Sequence, residues 1–461
     1  MLSTLRSLPD FNLFLLARRF GFNPQQIFTW AIVSAILLAS FVVGIHTSIL
    51  YLALPVGVGI ALLFLRQPAI GLLLTLLGGM IIPFNGPGGV NITILGILFL
   101  TALWLLGMIL QRGDIQFESA RIVRPALVLL VIVVLALAMG QLPWYRAQAA
   151  PMSAQIGGVM VFVTSIAAFL LVGHQFKESR WLALLSWALI LYGGLHMVGW
   201  IEPHMGHYIS RLYQGGATTS MFWTWVVTLA FGQALFNRRL SIGWRVALLG
   251  VVGMTFYVAY VLNGEWKSGW MPAAISVATL LLLRSWRFGY VLALLGIMPA
   301  MDLVANAVAS DEYSYSTRMD AWAIVGEIIK ANPILGLGPA NYYWYTPLFR
   351  IRGYAVNFNS HNQYVDLIAQ TGFLGLFAYL WLLGAIGWLG WKLRNRVADG
   401  FEKAYVYGVL GGWVATLAAG AFGDWVLPFV YNVGLVGMRS SILPWIFFGG
   451  LLALEHKYPK T

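Results

Sequence analysis

Cysteine is missing from all 461 residues, which excludes disulfides, zinc–thiolate sites and thiol catalysis. Charge is scarce as well. Asp, Glu, Lys and Arg together make up 10% of the chain, against about 25% in a soluble domain. No Lys/Arg-rich run with interleaved aromatics occurs, so the net charge of +12 does not point to nucleic acid. Internal repeats and low-complexity tracts are lacking too. What fills the chain is apolar: 60% of residues are hydrophobic, gathered in runs of roughly 20, the length that crosses a bilayer as a helix.

Apolar runs at 27–45, 48–65, 69–84, 92–110, 124–142, 156–173, 181–201, 218–236, 244–262, 271–284, 288–305, 373–391, 404–422 and 438–454 read as about fourteen spans. The expected fold is all-α, a polytopic integral membrane helical bundle of about 12–14 transmembrane helices. Residues 1–26 read as a cytoplasmic or interfacial segment. Phe11, Leu13, Leu15 and Leu16 would lie on the membrane, with Arg18 and Arg19 at the headgroups. The span beginning at Ile27 is too deep and too long for a cleavable signal. Residues 27–304 form the bundle, 305–372 an external catalytic loop, and 373–461 the C-terminal transmembrane helices. With both termini in the cytoplasm, about 20 of the 28 Lys and Arg face inward, as the positive-inside rule requires.

A connection as long as 305–372 is uncommon unless it is functional. Its sequence predicts structure. Thr317 can cap a helix whose Trp322, Val325, Ile328 and Ile329 share one face, stopped by Asn332-Pro333. Ser360 can cap a second helix beginning at His361 and ending near Thr371-Gly372, before the span from Phe373.

The spans contain almost no ionisable residue at depth, His196 being the main exception, and polar chemistry gathers at the outer mouths of the helices. That favours a site at the outer face over a transport path. The Gly-x-Gly of GLGPAN (336–341) is followed at once by Pro339 and reads as a turn, not a nucleotide loop. A group-transfer enzyme at that face needs a donor already in the membrane, such as a polyprenyl-linked phosphate or pyrophosphate. Arginine suits it, being always charged and gripping phosphate oxygens with two parallel hydrogen bonds. At a helix N-terminus His361 would stay neutral and could accept a proton from an attacking sugar hydroxyl. Asn362 and Asp366, one turn apart, could orient a sugar or the histidine. The competing explanation is that His361 and Asn362 only cap and solvate the approach to a span.

Arg318, Trp322, Pro333, Gly336, Gly338, His361-Asn362, Tyr364, Ala369, Gly372 and Gly375 stand in an order and spacing that resembles the O-antigen ligase and polymerase superfamily, over about residues 200–390. The resemblance implies a membrane glycosyltransferase of the C-type helical class, acting on an undecaprenyl-diphosphate-linked glycan at the periplasmic or outer face of the bacterial cytoplasmic membrane. It implies arginines on the pyrophosphate, the loop histidine on the acceptor, inversion, and neither metal nor cofactor. His361, Arg318 and Arg211 are thus the expected catalytic residues, and Lys267, Asn362, Tyr364 and Asp366 the expected substrate-binding ones. Arg211 is followed by Gly215, but Ala-Thr-Thr-Ser stands where the family commonly has Asn-Pro-Asn. Lys267 stands where the family often has an arginine, and attracts phosphate as a point charge and not as a fork.

The acceptor is left open between a lipid core (a ligase), another glycan repeat (a polymerase) and a protein hydroxyl. A polysaccharide or lipid exporter and a silent membrane scaffold are the alternatives from other classes. Glu202, His204 and His207 have chelating spacing, but Pro203 and Gly206 argue against the regular helix that would align them. Asp311, Glu312 and Asp320 do not form an acidic cation motif in an early loop. Tyr342, Tyr343, Trp344 and Tyr345 could stack on sugar rings or simply pack.

Overall fold

The computed structural model describes residues 50–112, 117, 120–263, 266–287 and 312–459. The expected segment 1–26 and the spans 27–45 and 288–305 lie outside the described residues. The chain divides into two compact units, 1–67 and 68–461. In the first, the described structure is helix α1, Leu50–Arg66.

The second unit's described elements are helices, with one isolated bridge between Ile351 and Tyr354. Its long helices are α2 (Pro68–Ile81), α3 (Ile92–Arg112), α4 (Ala120–Met139), α5 (Met152–Gln175), α6 (Ser179–Ile201) and α7 (Ser220–Phe236). They continue with α8 (Ile242–Tyr257), α9 (Lys267–Arg284), α10 (Glu312–Ile329), α11 (Gln363–Leu393), α12 (Phe401–Phe422) and α13 (Leu443–Lys457). Seven described helices are long and apolar enough to cross a membrane, or eight if the bent pair Leu435–Ser441 and Leu443–Lys457 is one span. The protein is an all-α polytopic membrane protein. Shorter apolar helices, α2, α7, Gly57–Arg66 and Ser268–Arg284, fall on other expected spans. Backbone hydrogen bonds closed within each helix make this the form an apolar chain takes in lipid.

α7 is the centre of the bundle. It packs against α8, α9 and α12, and nearly all its side chains are buried. Gly232 allows the close approach to α12: a Cβ there would meet the Gly408 Cα at 2.9 Å. α13 packs on α5, and α11 on α4 and α12. One end of the unit gathers the 236–242 and 393–402 turns, where Gly400 meets Arg239 and Gln233 donates to the Phe401 carbonyl. The opposite end gathers the 336–341, 357–363 and 423–437 segments.

Two expected helix starts are corrected. α10 is described from Glu312 onward, so Thr317 lies inside the helix and is not its cap. α11 begins at Gln363, two residues later than expected. Its cap is Asn362, whose Oδ1 accepts the N–H groups of Tyr364 at 2.9 Å and Val365 at 3.3 Å. Ser360 is held elsewhere, its Oγ lying 2.7 Å from Asp366 Oδ1.

Within α11, Gly372 (φ +69°, ψ −175°) breaks the helix before Phe373. The GLGPAN segment heals the break. Leu337 and Gly338 donate their N–H groups to the carbonyls of Ala369 (2.9 Å) and Gln370 (3.1 Å). Phe373 and Leu374 donate in turn to the carbonyls of Pro333 (2.8 Å) and Ile334 (3.2 Å). A Cβ on Gly372 would lie 2.0 Å from the Ile334 oxygen, and one on Gly336 2.5 Å from the Gln370 carbonyl carbon. The Gly-x-Gly is thus a turn that plugs a broken helix, supplying the backbone partners that the break removes.

Candidate functional site

α10 and the first turns of α11 are joined by a core of Val325, Ile328, Leu337, Tyr342, Tyr345, Ala369 and Phe429. On this platform Trp322 Nε1 donates to the Ser360 carbonyl at 2.7 Å, fixing the strand of chain that carries His361. His361 sits just before the cap with φ +49°, a left-handed conformation rare for a residue with a Cβ. Such strain persists where the surroundings enforce it, often at functional sites.

The third contributor is the turn after α12. Asp424 is buried; its Oδ2 accepts the Phe429 N–H at 2.8 Å, and its Oδ1 accepts from Asn432 Nδ2 at 2.6 Å. The same Asn432 nitrogen faces His361 Nδ1 at 3.5 Å. Arg318, half-buried on α10, donates to the Phe422 carbonyl at 3.4 Å. Arg318 and Asp424 both act electrostatically on His361, so these three groups share one site. Partial desolvation of the imidazole, and then the Arg318 cation, lower the His361 pKa below the ordinary histidine value; Asp424 pulls the other way. The ring is thus kept neutral by burial and a neighbouring cation, whereas the sequence suggested a helix terminus. Burial pushes the Asp424 carboxyl up, opposed by its bonds from Phe429 and Asn432 and by His361.

Beneath lies Asp366, buried, its Oδ1 accepting from the Tyr342 hydroxyl and within 2.7 Å of Ser360 Oγ. Its Oδ2 has no protein partner, and it interacts electrostatically with Asp424. Asp366 therefore supports the His361 turn from below. Gln363 sutures the turn after α12 to α11, accepting the N–H groups of Val426 (3.2 Å) and Leu427 (3.0 Å).

The remaining expected residues distribute differently. Asn362 is buried as the cap of α11. The Tyr364 hydroxyl donates to the Leu417 carbonyl at 2.6 Å, tying α11 to α12. Tyr342 and Tyr345 are core residues, while Tyr343 stacks on Tyr431 with ring centroids 4.5 Å apart. Trp344 Nε1 donates to the Tyr431 hydroxyl at 2.7 Å. The start of α9 comes to the site through Trp266, whose ring meets Trp425 edge-on; the Lys267 side chain lies outside the described residues.

Arg211 is exposed in the short turn Ser210–Leu212, with its Nη2 2.8 Å from His207 Nε2. Among the described residues no hydrogen bond or ion pair joins it to Arg318 or His361. Its loop is nevertheless pinned to the chain segment that carries Asp424 and Asn432. The agent is Arg439, a wholly buried arginine. It donates to the carbonyls of Gly79 (2.7 Å), Gly215 (3.0 Å) and Phe84 (2.9 Å) and to Asn85 Oδ1 (3.0 Å). Ser440 Oγ adds a bond to the Gly216 carbonyl at 2.7 Å.

An apolar groove of about 440 Å³ opens beside the site, lined by Trp322, Gly326, Ile329, Pro333, Ile368 and Phe373 among others. Trp322 and Gly326 follow Arg318 at intervals of four residues, on the same helical face. Among the described residues no three His, Asp or Glu side chains converge as metal ligands.

Asp424, Asn432 and Arg439 were not singled out by the sequence as site residues. The available signal was a lone aspartate in the Gly-Asp-Trp break between two apolar runs.

No curated protein matches the chain. Residues 240–380, a little under a third of its length, match the family model described as O-antigen ligase. The matched segment contains Arg318, His361 and the Gly336–Gly338 plug, and it ends before Asp424. By this match residues 240–380 are similar to the O-antigen ligase family.

Proposed function

We propose that the protein transfers an undecaprenyl-diphosphate-linked glycan to an acceptor hydroxyl, of a lipid core or of another glycan repeat, at the outer face of the bacterial cytoplasmic membrane. The observation that carries this reading is that Arg318 and the buried Asp424 both act electrostatically on His361. Arg318 holds the pyrophosphate and stabilises the charge that develops as it leaves. The apolar groove along the same face of α10 suits the first isoprene units of the donor. Arg211 and Lys267 complete the phosphate-binding set, and His361 orients the acceptor. The acceptor oxygen bonds to the anomeric carbon as the bond to the pyrophosphate oxygen breaks on the opposite side, so the product is inverted. The hydroxyl proton ends on the released undecaprenyl pyrophosphate. The arginines do the charge stabilisation that a metal would otherwise supply.

His361→Ala and Arg318→Ala should each abolish donor-dependent transfer in reconstituted vesicles at an unchanged level of protein in the membrane. Transfer retained by either variant removes that residue from the mechanism. The acceptor is read from cells lacking the protein: single accumulated lipid-linked repeats mean a polymerase, long unattached chains a ligase. Sidedness is testable cleanly because the chain has no cysteine. A cysteine introduced at Tyr354 should react with an impermeant thiol reagent on intact cells, and one at Asp399 should not.

A further inference from the structure

We infer that Asn432 is a positioning residue that fixes the neutral His361 ring with its proton on Nε2, so that the histidine meets substrate as a hydrogen-bond donor. This rests on the reading of His361 as the group that faces the acceptor.

An asparagine side chain offers an oxygen and an NH2, and which way it points follows from its neighbours. Here the neighbour is Asp424, buried and 2.6 Å from Asn432 Nδ2. A carboxylate only accepts, so the amide must turn its NH2 toward it. The orientation is held further by the backbone: Asn432 and Gly434 both donate their N–H groups to the Phe429 carbonyl, at 3.0 and 2.9 Å. Asp424 is itself fixed by the Phe429 N–H on its other oxygen.

The same NH2 then faces His361 Nδ1 at 3.5 Å. Two N–H groups cannot point at each other across that gap, so Nδ1 keeps its lone pair. In a neutral imidazole the proton must lie on the other nitrogen. The nitrogen left for substrate is Nε2, carrying hydrogen. It can donate to an acceptor or phosphate oxygen but cannot take the acceptor's proton, which accords with that proton leaving on the pyrophosphate. The left-handed backbone at His361 turns the ring toward Asn432, which the expected helical start at this residue would not have done.

The test is ¹⁵N NMR of the full-length protein labelled at histidine, with the His361 signals identified by their loss in His361→Gln. In the wild type at pH above the His361 pKa, Nδ1 should appear unprotonated and Nε2 protonated. A wild-type spectrum with the proton on Nδ1 overturns the inference, whether or not the protein proves to transfer glycans. Asn432→Asp combined with Asp424→Asn exchanges amide and carboxylate, so that no two carboxyl groups meet and Nδ1 faces an acceptor; it should move the proton to Nδ1 and cut transfer by about tenfold or more, since a wrong tautomer disables a histidine whose geometry is intact. The double variant with an unchanged tautomer also overturns it. Should this variant fail to fold, the wild-type spectrum alone decides.

Discussion

At one end of the bundle Glu402, buried at the start of α12, is answered on every side. Lys457 Nζ lies 2.6 Å from its Oε1, Ser179 donates to the same oxygen, and Tyr458 donates to Oε2. At the other end Asp366 and Asp424, equally buried, have no lysine or arginine bonded to them; they are held by hydroxyls, an amide and a backbone N–H, and Asp366 keeps one oxygen free. The first arrangement closes a charge. The second leaves the Asp424 carboxyl to act on the neutral His361, on which the Arg318 cation also acts. Buried carboxylates without a cation are costly, and among the described residues they stand only at the end that carries His361 and Arg318.

Substitutions at both ends can break this contrast. The largest effect is expected from Gly372→Ala, because the left-handed φ and the Ile334 oxygen 2.0 Å from a Cβ leave no room for the methyl group; folded protein should be absent from the membrane by protease resistance. Asp424→Asn should leave the fold intact and lower transfer by about tenfold or more. It removes the charge that favours imidazolium, so the His361 pKa, already below its ordinary value, should fall further. Arg318→Gln has the opposite sign: without the cation the pKa should rise, and the acid-side protonation seen by ¹⁵N NMR should move to higher pH. Shifts in the same direction for both variants would refute the shared site. Glu402→Ala should cost about 1–3 kcal/mol of stability with transfer per folded molecule unchanged, measured as a lowered Tm. Smallest is Arg180→Ala, which removes an exposed pair with Glu178 and should change stability by less than about 0.5 kcal/mol.

The bundle was legible in the sequence because lipid leaves an apolar run few alternatives to a helix. α3, α5, α6 and α12 lie where their hydrophobic runs predict. Arg318 and His361 were legible through their spacing within a familiar pattern. The cap of α11 was harder, since Ser360 and Asn362 are both good caps two residues apart, and only the pull of Asp366 on Ser360 decides between them. The Gly336–Gly372 plug needs two stretches of chain to be seen side by side. Asp424 and Asn432 carry no motif, and they act on His361 from more than 60 positions away in the chain; no local pattern announces that meeting.

Arg439 ties a late part of the chain to three early ones. Its guanidinium gathers Gly79, Phe84 and Gly215, three places made long before it during synthesis. Gln214 already joins two of these places through the Met80 and Ile81 carbonyls, and Arg439 adds the late chain to that junction. A chain stopped short of Arg439 would lack all four of these guanidinium bonds, and its early loops would wait for the last stretch of the protein to lock them.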